Sequence, residues 1–143
     1  MELLDYLIER HEQDRFGKFF RDLRDDIEAD QDTLRDLIRK LNAEESSVRK
    51  AGAWIAEKLG RVKIAGAGVR DNYGLLQALE GLELGITGKK LLWRSLAEIS
   101  SSITELQGTD FAGLEKRAQE QIDRVEAERL LTGRAALSDR EQT

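Results

Sequence analysis

The clearest pattern in the chain is an apolar stripe in residues 14–42. On a helical wheel, nine apolar side chains from Phe16 to Leu41 fall within about 60° of one direction, which is typical of a helix with one face in a protein interior. Asp14 is suited to cap the start of this helix. A shorter helix with a narrower apolar face is predicted before it, over residues 2–12.

Three further helices are predicted after this stripe. Asn42 and Glu45 form a capping box that opens the first of them, and the glycine-rich segment 61–70, which lacks helical periodicity, predicts a loop after it. The next helix contains four glycines, which we interpret as close packing against a neighbouring helix. The predicted ranges are 43–59, 72–101 and 110–136, and the four glycines are Gly74, Gly81, Gly85 and Gly88.

The pattern therefore predicts an all-α protein, with about three quarters of its residues helical and one domain over residues 1–143. The composition agrees with this class, because the 143 residues are 36% charged and 40% hydrophobic, with charges of both signs interspersed. The chain has no Pro. It also has no Cys, and the absence of Cys excludes disulfides, thiolate metal sites and thiol nucleophiles. A net charge of −5 argues against a nucleic-acid partner.

The sequence shows neither an apolar run that could span a membrane nor the pattern of a signal peptide. No apolar run approaches the roughly 18 residues of a membrane span, and the segment MELLDYLIER has charges where a signal peptide would be apolar. We therefore expect a cytoplasmic protein without a membrane partner.

Gly66 and Gly68 begin a dinucleotide-type fingerprint, but Asp71 occupies its third glycine position. No serine or threonine has a readable activating histidine, so nothing in the sequence indicates nucleophilic catalysis.

The order of the helices resembles the ferritin-like superfamily. In that antiparallel four-helix bundle, two helix pairs are joined by a long crossover, which here would contain the short extra helix 43–59. The resemblance covers most of the chain and rests on the helix order and the apolar stripes. It departs from the family in its first helix, which is less than half as long as the others.

The chain also lacks the family's metal-binding motifs. Di-iron members use a Glu from each of two helices and a Glu-x-x-His motif from each of the other two. The corresponding frames here run from Glu28 to Gln31 and from Glu126 to Arg129, so Gln and Arg stand in the two histidine positions. His11 is the single histidine and is expected to be an ordinary surface residue. The resemblance therefore implies a metal-free member without a cofactor.

Three charged residues interrupt the apolar stripes of the long helices. Asp30 lies between Ile27 and Leu34, and Lys89 and Arg129 take similar places on the two later helices. Because an unpaired buried charge is costly, one hypothesis is that the three form a salt-bridged belt, with Glu83 and Glu126 as further members. The alternative is that the Lys and Arg stems extend to solvent at the bundle edges, while Asp30 contacts water past the short first helix.

Three functions remain open at this point. The favoured interpretation is a metal-free structural or protein-interaction module. The alternative is a carboxylate-rich metal-binding or oxidase-type bundle, in which Asp30, Glu83 and Glu126 would be the ligands. A small-molecule pocket at the glycine-rich helix face is a third possibility.

The short first helix also predicts self-association. A helix of about 18 Å beside neighbours of about 40 Å would leave a groove uncovered, and a second copy of the chain is the expected cover. We expect a homodimer that buries more than about 1,200 Å² in total, with Trp54 or Trp93 close to the interface. The residues expected to line the groove are Phe16, Phe19, Leu96 and Leu114.

Overall fold

The computed structural model describes residues 2–42, 53 and 72–138. In these residues the chain forms four α-helices and one 3₁₀ turn, and no strand is present. The prediction of an all-α protein with a short first helix is confirmed. The elements are α1 (Glu2–Arg10), α2 (Arg15–Asn42), α3 (Asn72–Ile99), the turn η1 (Thr104–Leu106) and α4 (Phe111–Ser138).

The observed helix ends lie within two residues of those predicted from the apolar pattern. Helices α2, α3 and α4 each contain 28 residues, which corresponds to about 42 Å, whereas α1 has 9 residues and spans about 14 Å. Apart from Ala53, the predicted helix 43–59 and the predicted loop 61–70 lie outside the described residues.

A tight corner joins α1 to α2. Asp14 caps α2 as predicted, because its Oδ1 accepts a hydrogen bond of 2.9 Å from the backbone N–H of Phe16. The backbone N–H of Asp14 in turn donates to the carbonyl of His11 at 3.1 Å. Gly17 is required here, since a Cβ at this position would collide with the His11 carbonyl oxygen. The corner folds α1 back along α2.

The helices associate as two hairpins. Helix α1 packs on α2, α3 packs along α4, and η1 contacts α2. Helices α3 and α4 are antiparallel, because Arg94 pairs with Glu115 at one end and the Leu76 side chain lies beside Gly133 at the other. This arrangement is one of helix pairs rather than a clear ferritin bundle.

The two hairpins share one apolar core. Helix α2 contributes Phe20 and Leu37, which are 0% and 2% exposed, and α4 contributes Val125, which is fully buried. Each 28-residue helix therefore has one buried face, as the apolar stripes predict. The other fully buried apolar side chains are Leu7, Leu23, Leu41, Leu79, Trp93, Leu96, Leu106 and Ala118.

The groove predicted beside the short first helix is not exposed. Of the residues expected to line it, Leu96 is fully buried, and Phe16, Phe19 and Leu114 are partly buried against the core. The turn η1 packs on α2 and places Leu106 in the core, so it adds to the apolar contacts of α2.

Trp93 belongs to the core, and one glycine of α3 does not pack closely. Trp93 is fully buried beside Phe111, with ring centroids 6.1 Å apart. Trp54 lies outside the described residues. Gly88 is exposed, and nothing lies within 4 Å of the position of a Cβ there, so close packing does not explain this glycine.

Within the described ranges, none of the helices combines the length and the apolar character needed to cross a membrane.

Candidate functional site

A buried carboxylate lies at the meeting point of α2, α3 and α4. Asp30 is 2% exposed and faces the interior from α2. Its Oδ2 accepts a hydrogen bond of 2.7 Å from Lys89 Nζ on α3 and one of 3.2 Å from Gln121 Nε2 on α4. These three residues form the group that we call the Asp30 cluster.

Lys89 completes the Asp30 cluster, because its Nζ also donates to Gln121 Oε1 at 2.6 Å. The Lys89 side chain is 10% exposed, so it does not extend into solvent. Burial lowers the pKa of the Lys89 ammonium, and the neighbouring Asp30 carboxylate opposes that effect. Each of the three helices thus supplies one side chain, and the two charges have opposite signs.

Gln121 is not among the residues that the sequence predicted for this cluster, although its position in the apolar stripe of α4 indicates burial. It is fully buried and occupies an apolar position of α4, three residues after Ala118 and four before Val125. Gln121 carries a neutral amide, whereas the residues predicted to interrupt the apolar stripes are all charged. An amide at this position can donate to a carboxylate and accept from an ammonium at the same time, and Gln121 makes both bonds.

Arginines on α4 extend the polar contacts to the edge of the Asp30 cluster. Arg117 Nε lies 3.7 Å from Asp30 Oδ1, and its Nη2 donates to the backbone carbonyl of Asp26 at 2.9 Å. Arg124 Nη2 donates to Asp26 Oδ2 at 2.7 Å. These side chains are more than a third exposed, so their ion pairs add little stability but orient α2 along α4.

A second charged group lies between α3 and α4. Arg129 donates to both carboxylate oxygens of Glu126, from Nε at 3.0 Å and from Nη2. Its Nε lies 3.9 Å from Oε1 of Glu83 on α3. That oxygen is buried and has no hydrogen-bond partner among the described residues. We call these three residues the Glu83 cluster.

The two carboxyl groups of the Glu83 cluster have different acidities. Burial, together with the nearby Glu126 carboxylate, raises the pKa of Glu83 to about 7. The hydrogen bonds from Arg129 are the main cause that lowers the pKa of Glu126 to about 2. At neutral pH, Glu126 is therefore ionised, while Glu83 is divided between its two protonation states.

The structure brings some of the proposed belt residues together and separates others. Asp30 meets Lys89, and Arg129 meets Glu83 and Glu126. No hydrogen bond or ion pair between described residues joins these two sets. On α3, Lys89 and Glu83 are six residues apart, which corresponds to about 9 Å along the helix.

The residues present do not fit a di-iron centre. Arg129 holds both oxygens of Glu126, and the Lys89 ammonium holds Asp30, so a metal ion would have to displace a cation from each carboxylate. Asp30 also lies in a different cluster from Glu83 and Glu126, the other ligands of the alternative prediction. Across the described ranges, no three His, Asp or Glu side chains lie close enough together to hold a metal ion.

His11 is not the surface residue that was expected. Its side chain is 16% exposed, and its Nδ1 lies 2.8 Å from Asp14 Oδ2 at the corner between α1 and α2. The ring packs on Phe16 and Phe20, with centroid distances of 5.4 and 5.8 Å. Its contacts are those of a residue that holds the corner together.

Comparison of the chain with protein-family models, with curated proteins and with solved structures finds no match.

Proposed function

We propose that this protein is a non-catalytic, metal-free interaction module with a ferritin-like helix order, and that it works as a homodimer. The charged side chains inside it support a structural role. In the Asp30 cluster, the ammonium and the carboxylate neutralise each other, and a buried amide bonds to both. Such a group holds helices in register and leaves no reactive side chain available for a substrate.

The observation that carries the interaction role is a row of exposed leucines on the α3–α4 hairpin. Leu84 and Leu91 on α3 are 74% and 56% exposed, and Leu130 and Leu137 on α4 are 59% and 70% exposed. We call these four residues the leucine face. Single exposed leucines are ordinary, but four on one helix pair form a patch of the kind that marks a protein interface.

Helical geometry places the leucine face on the side of the hairpin away from α1 and α2. On α3, Leu84 and Leu91 lie opposite the buried stripe that includes Leu79. On α4, Leu130 and Leu137 lie within about 20° of each other on the wheel, and this direction is far from that of the buried Val125. The four side chains can therefore meet one flat partner.

A second copy of the chain is the partner that this pattern favours. Leu84 and Leu91 are seven residues apart, and so are Leu130 and Leu137. Seven residues is the repeat with which one helix packs its side chains along another helix. A two-fold dimer would bury the same leucines from both copies, which is the usual symmetry of soluble homodimers. The proposed face replaces the groove beside α1 that the sequence suggested.

The experiment is sedimentation velocity at high micromolar concentration, with the unaltered chain and the double variant Leu84→Glu/Leu91→Glu. We expect the unaltered chain to sediment at twice its 16.2 kDa mass and the double variant to sediment as a monomer with an unchanged far-UV spectrum. The matched control is Leu131→Glu, because Leu131 is 56% exposed but points about 100° away from Leu130.

The control should remain dimeric. A monomeric unaltered chain would refute the proposal. Equal dissociation by Leu131→Glu would show that the leucine face is not the interface.

A further inference from the structure

We propose that Glu83 and Glu126 share a proton across the interface between α3 and α4, and that this proton acts as a pH-dependent latch on the hairpin. The proposal does not depend on the leucine face. It rests on the position of the Arg129 guanidinium group, which lies beside two carboxyl groups, that of Glu83 on α3 and that of Glu126 on α4.

Arg129 makes hydrogen bonds to the carboxyl group of Glu126 but not to that of Glu83. Arg129 and Glu126 are on the same helix, three residues apart, and make two hydrogen bonds. Glu83 reaches the group from α3, but its Oε1 is 3.9 Å from Arg129 Nε, beyond hydrogen-bonding distance. This oxygen is buried, and no described residue bonds to it. A proton on Glu83 removes the cost of a partly buried negative charge that receives no hydrogen bond from Arg129.

The protonated and ionised states differ in their net charge. With the proton present, Glu126 and Arg129 form a neutral pair, and the Glu83 carboxyl group can donate a hydrogen bond to Glu126. Without it, two carboxylates on facing helices share one positive charge and repel each other. The proton therefore holds α3 against α4, and its loss weakens their contact.

The other charged groups nearby do not cancel this effect. On α3, Glu80 lies one turn before Glu83 and adds a further negative charge that raises the pKa of Glu83. From α2, Arg15 reaches this end of α4, but it pairs with Glu128 at 2.9 Å. Among the residues that the structure describes, Arg129 is therefore the cation that acts on Glu83, and it lowers the Glu83 pKa less than burial and Glu126 raise it.

The direction of the pH effect follows from the two pKa values. The Glu83 pKa rises from 4.5 to about 7 on folding, so its contribution destabilises the folded chain progressively between these pH values. The Glu126 pKa falls from 4.5 to about 2, so its contribution stabilises the folded chain above pH 4.5 and is lost as the pH falls towards 2. The pair stabilises the hairpin most where Glu83 is protonated and Glu126 is ionised.

The first test is urea denaturation of the unaltered chain and of Glu83→Gln at pH 5 and at pH 8.5. Gln keeps a hydrogen-bonding head group without a titrating proton, so the variant should gain stability relative to the unaltered chain as the pH rises. We expect the ratio of their folding equilibrium constants to increase by about tenfold or more, because one unit of pKa difference is a factor of ten. Glu98→Gln, at an exposed position of α3 outside the Glu83 cluster, is the matched control and should leave this ratio unchanged within about twofold.

The second test uses the unaltered chain directly, by carbon-13 NMR titration of its glutamate carboxyl groups. The signals are assigned with Glu83→Gln and Glu126→Gln. We expect the Glu83 signal to titrate near neutral pH and to shift to lower pH in Glu126→Gln, which removes the neighbouring negative charge. A Glu83 midpoint near 4.5, or an equal pH effect of Glu98→Gln, would overturn the proposal.

Discussion

Lys89 and Asp30 are 59 residues apart in the chain, and their side chains meet at 2.7 Å inside the core. Lys89 belongs to the α3–α4 hairpin and Asp30 to the α1–α2 hairpin, so their ion pair ties one hairpin to the other. A buried pair of this kind is costly to form and still more costly to break, since removing one partner leaves a buried charge alone. Its main effect is to fix how the hairpins dock.

The first prediction concerns the two members of this ion pair. We expect Asp30→Leu to destabilise the chain by about 3–5 kcal/mol, because Lys89 would remain buried with Gln121 as its remaining partner. The double variant Asp30→Leu/Lys89→Met should recover most of that loss, since both charges are then removed. Urea denaturation followed by circular dichroism measures both.

The control for this prediction is Lys18→Met. It breaks the ion pair of Lys18 with Asp22, in which the Lys18 side chain is 79% exposed, and it should leave the urea midpoint unchanged. If the double variant were as unstable as Asp30→Leu alone, the loss would come from packing at position 30 rather than from the unpaired charge.

The second prediction compares two glycines. Gly17→Ala should destabilise the chain by about 1–3 kcal/mol, because the new Cβ would collide with the His11 carbonyl at the corner. Gly88→Ala should stabilise it by up to about 1 kcal/mol, since Gly88 lies inside α3 with open space around its Cβ position. Thermal unfolding gives both values, and effects of the same sign would contradict the described corner.

The third prediction uses Trp93 as a reporter of the core. The chain has two tryptophans, so Trp54→Phe leaves Trp93 as the single one. Because Trp93 is fully buried, we expect blue-shifted emission, weak quenching by acrylamide and a red shift on unfolding in urea. Emission typical of water in the folded variant would show that α3 does not pack as described.

The fourth prediction concerns metal ions. Addition of ferrous or manganous ions at micromolar concentration should leave the melting temperature unchanged, because Arg129 holds both Glu126 oxygens and Lys89 holds Asp30. Differential scanning fluorimetry measures this, with a calcium salt at equal ionic strength as the control. Stabilisation specific to iron or manganese would support the carboxylate-rich metal-binding alternative.

Much of the local structure follows from the sequence because it depends on neighbouring residues. The apolar stripe on α2 and the cap at Asp14 both act within a few turns, so periodicity and residue type suffice to predict them. The interruptions at Asp30 and Lys89 are visible for the same reason. Each is a polar residue where the helical spacing requires an apolar one.

The association of the elements does not follow in the same way. Whether Arg129 meets Glu83 or the Asp30 cluster depends on the relative height of α3 and α4, which no local pattern specifies. The burial of Leu106 depends on a turn of three residues that is too short to have a period. Gln121 bonds to Asp30 on another helix, and His11 contacts Asp14 at the corner between α1 and α2. The residue type alone predicts neither contact.

The pairing of sequence neighbours into hairpins has a consequence for the rate of folding. Contacts of α1 with α2 and of α3 with α4 join segments that are close in the chain, so each hairpin can form after closing a short loop. Such low contact order is typical of chains that fold within milliseconds. The bond between Asp30 and Lys89 has the larger sequence separation, so its formation marks the slower step in which the two hairpins find each other.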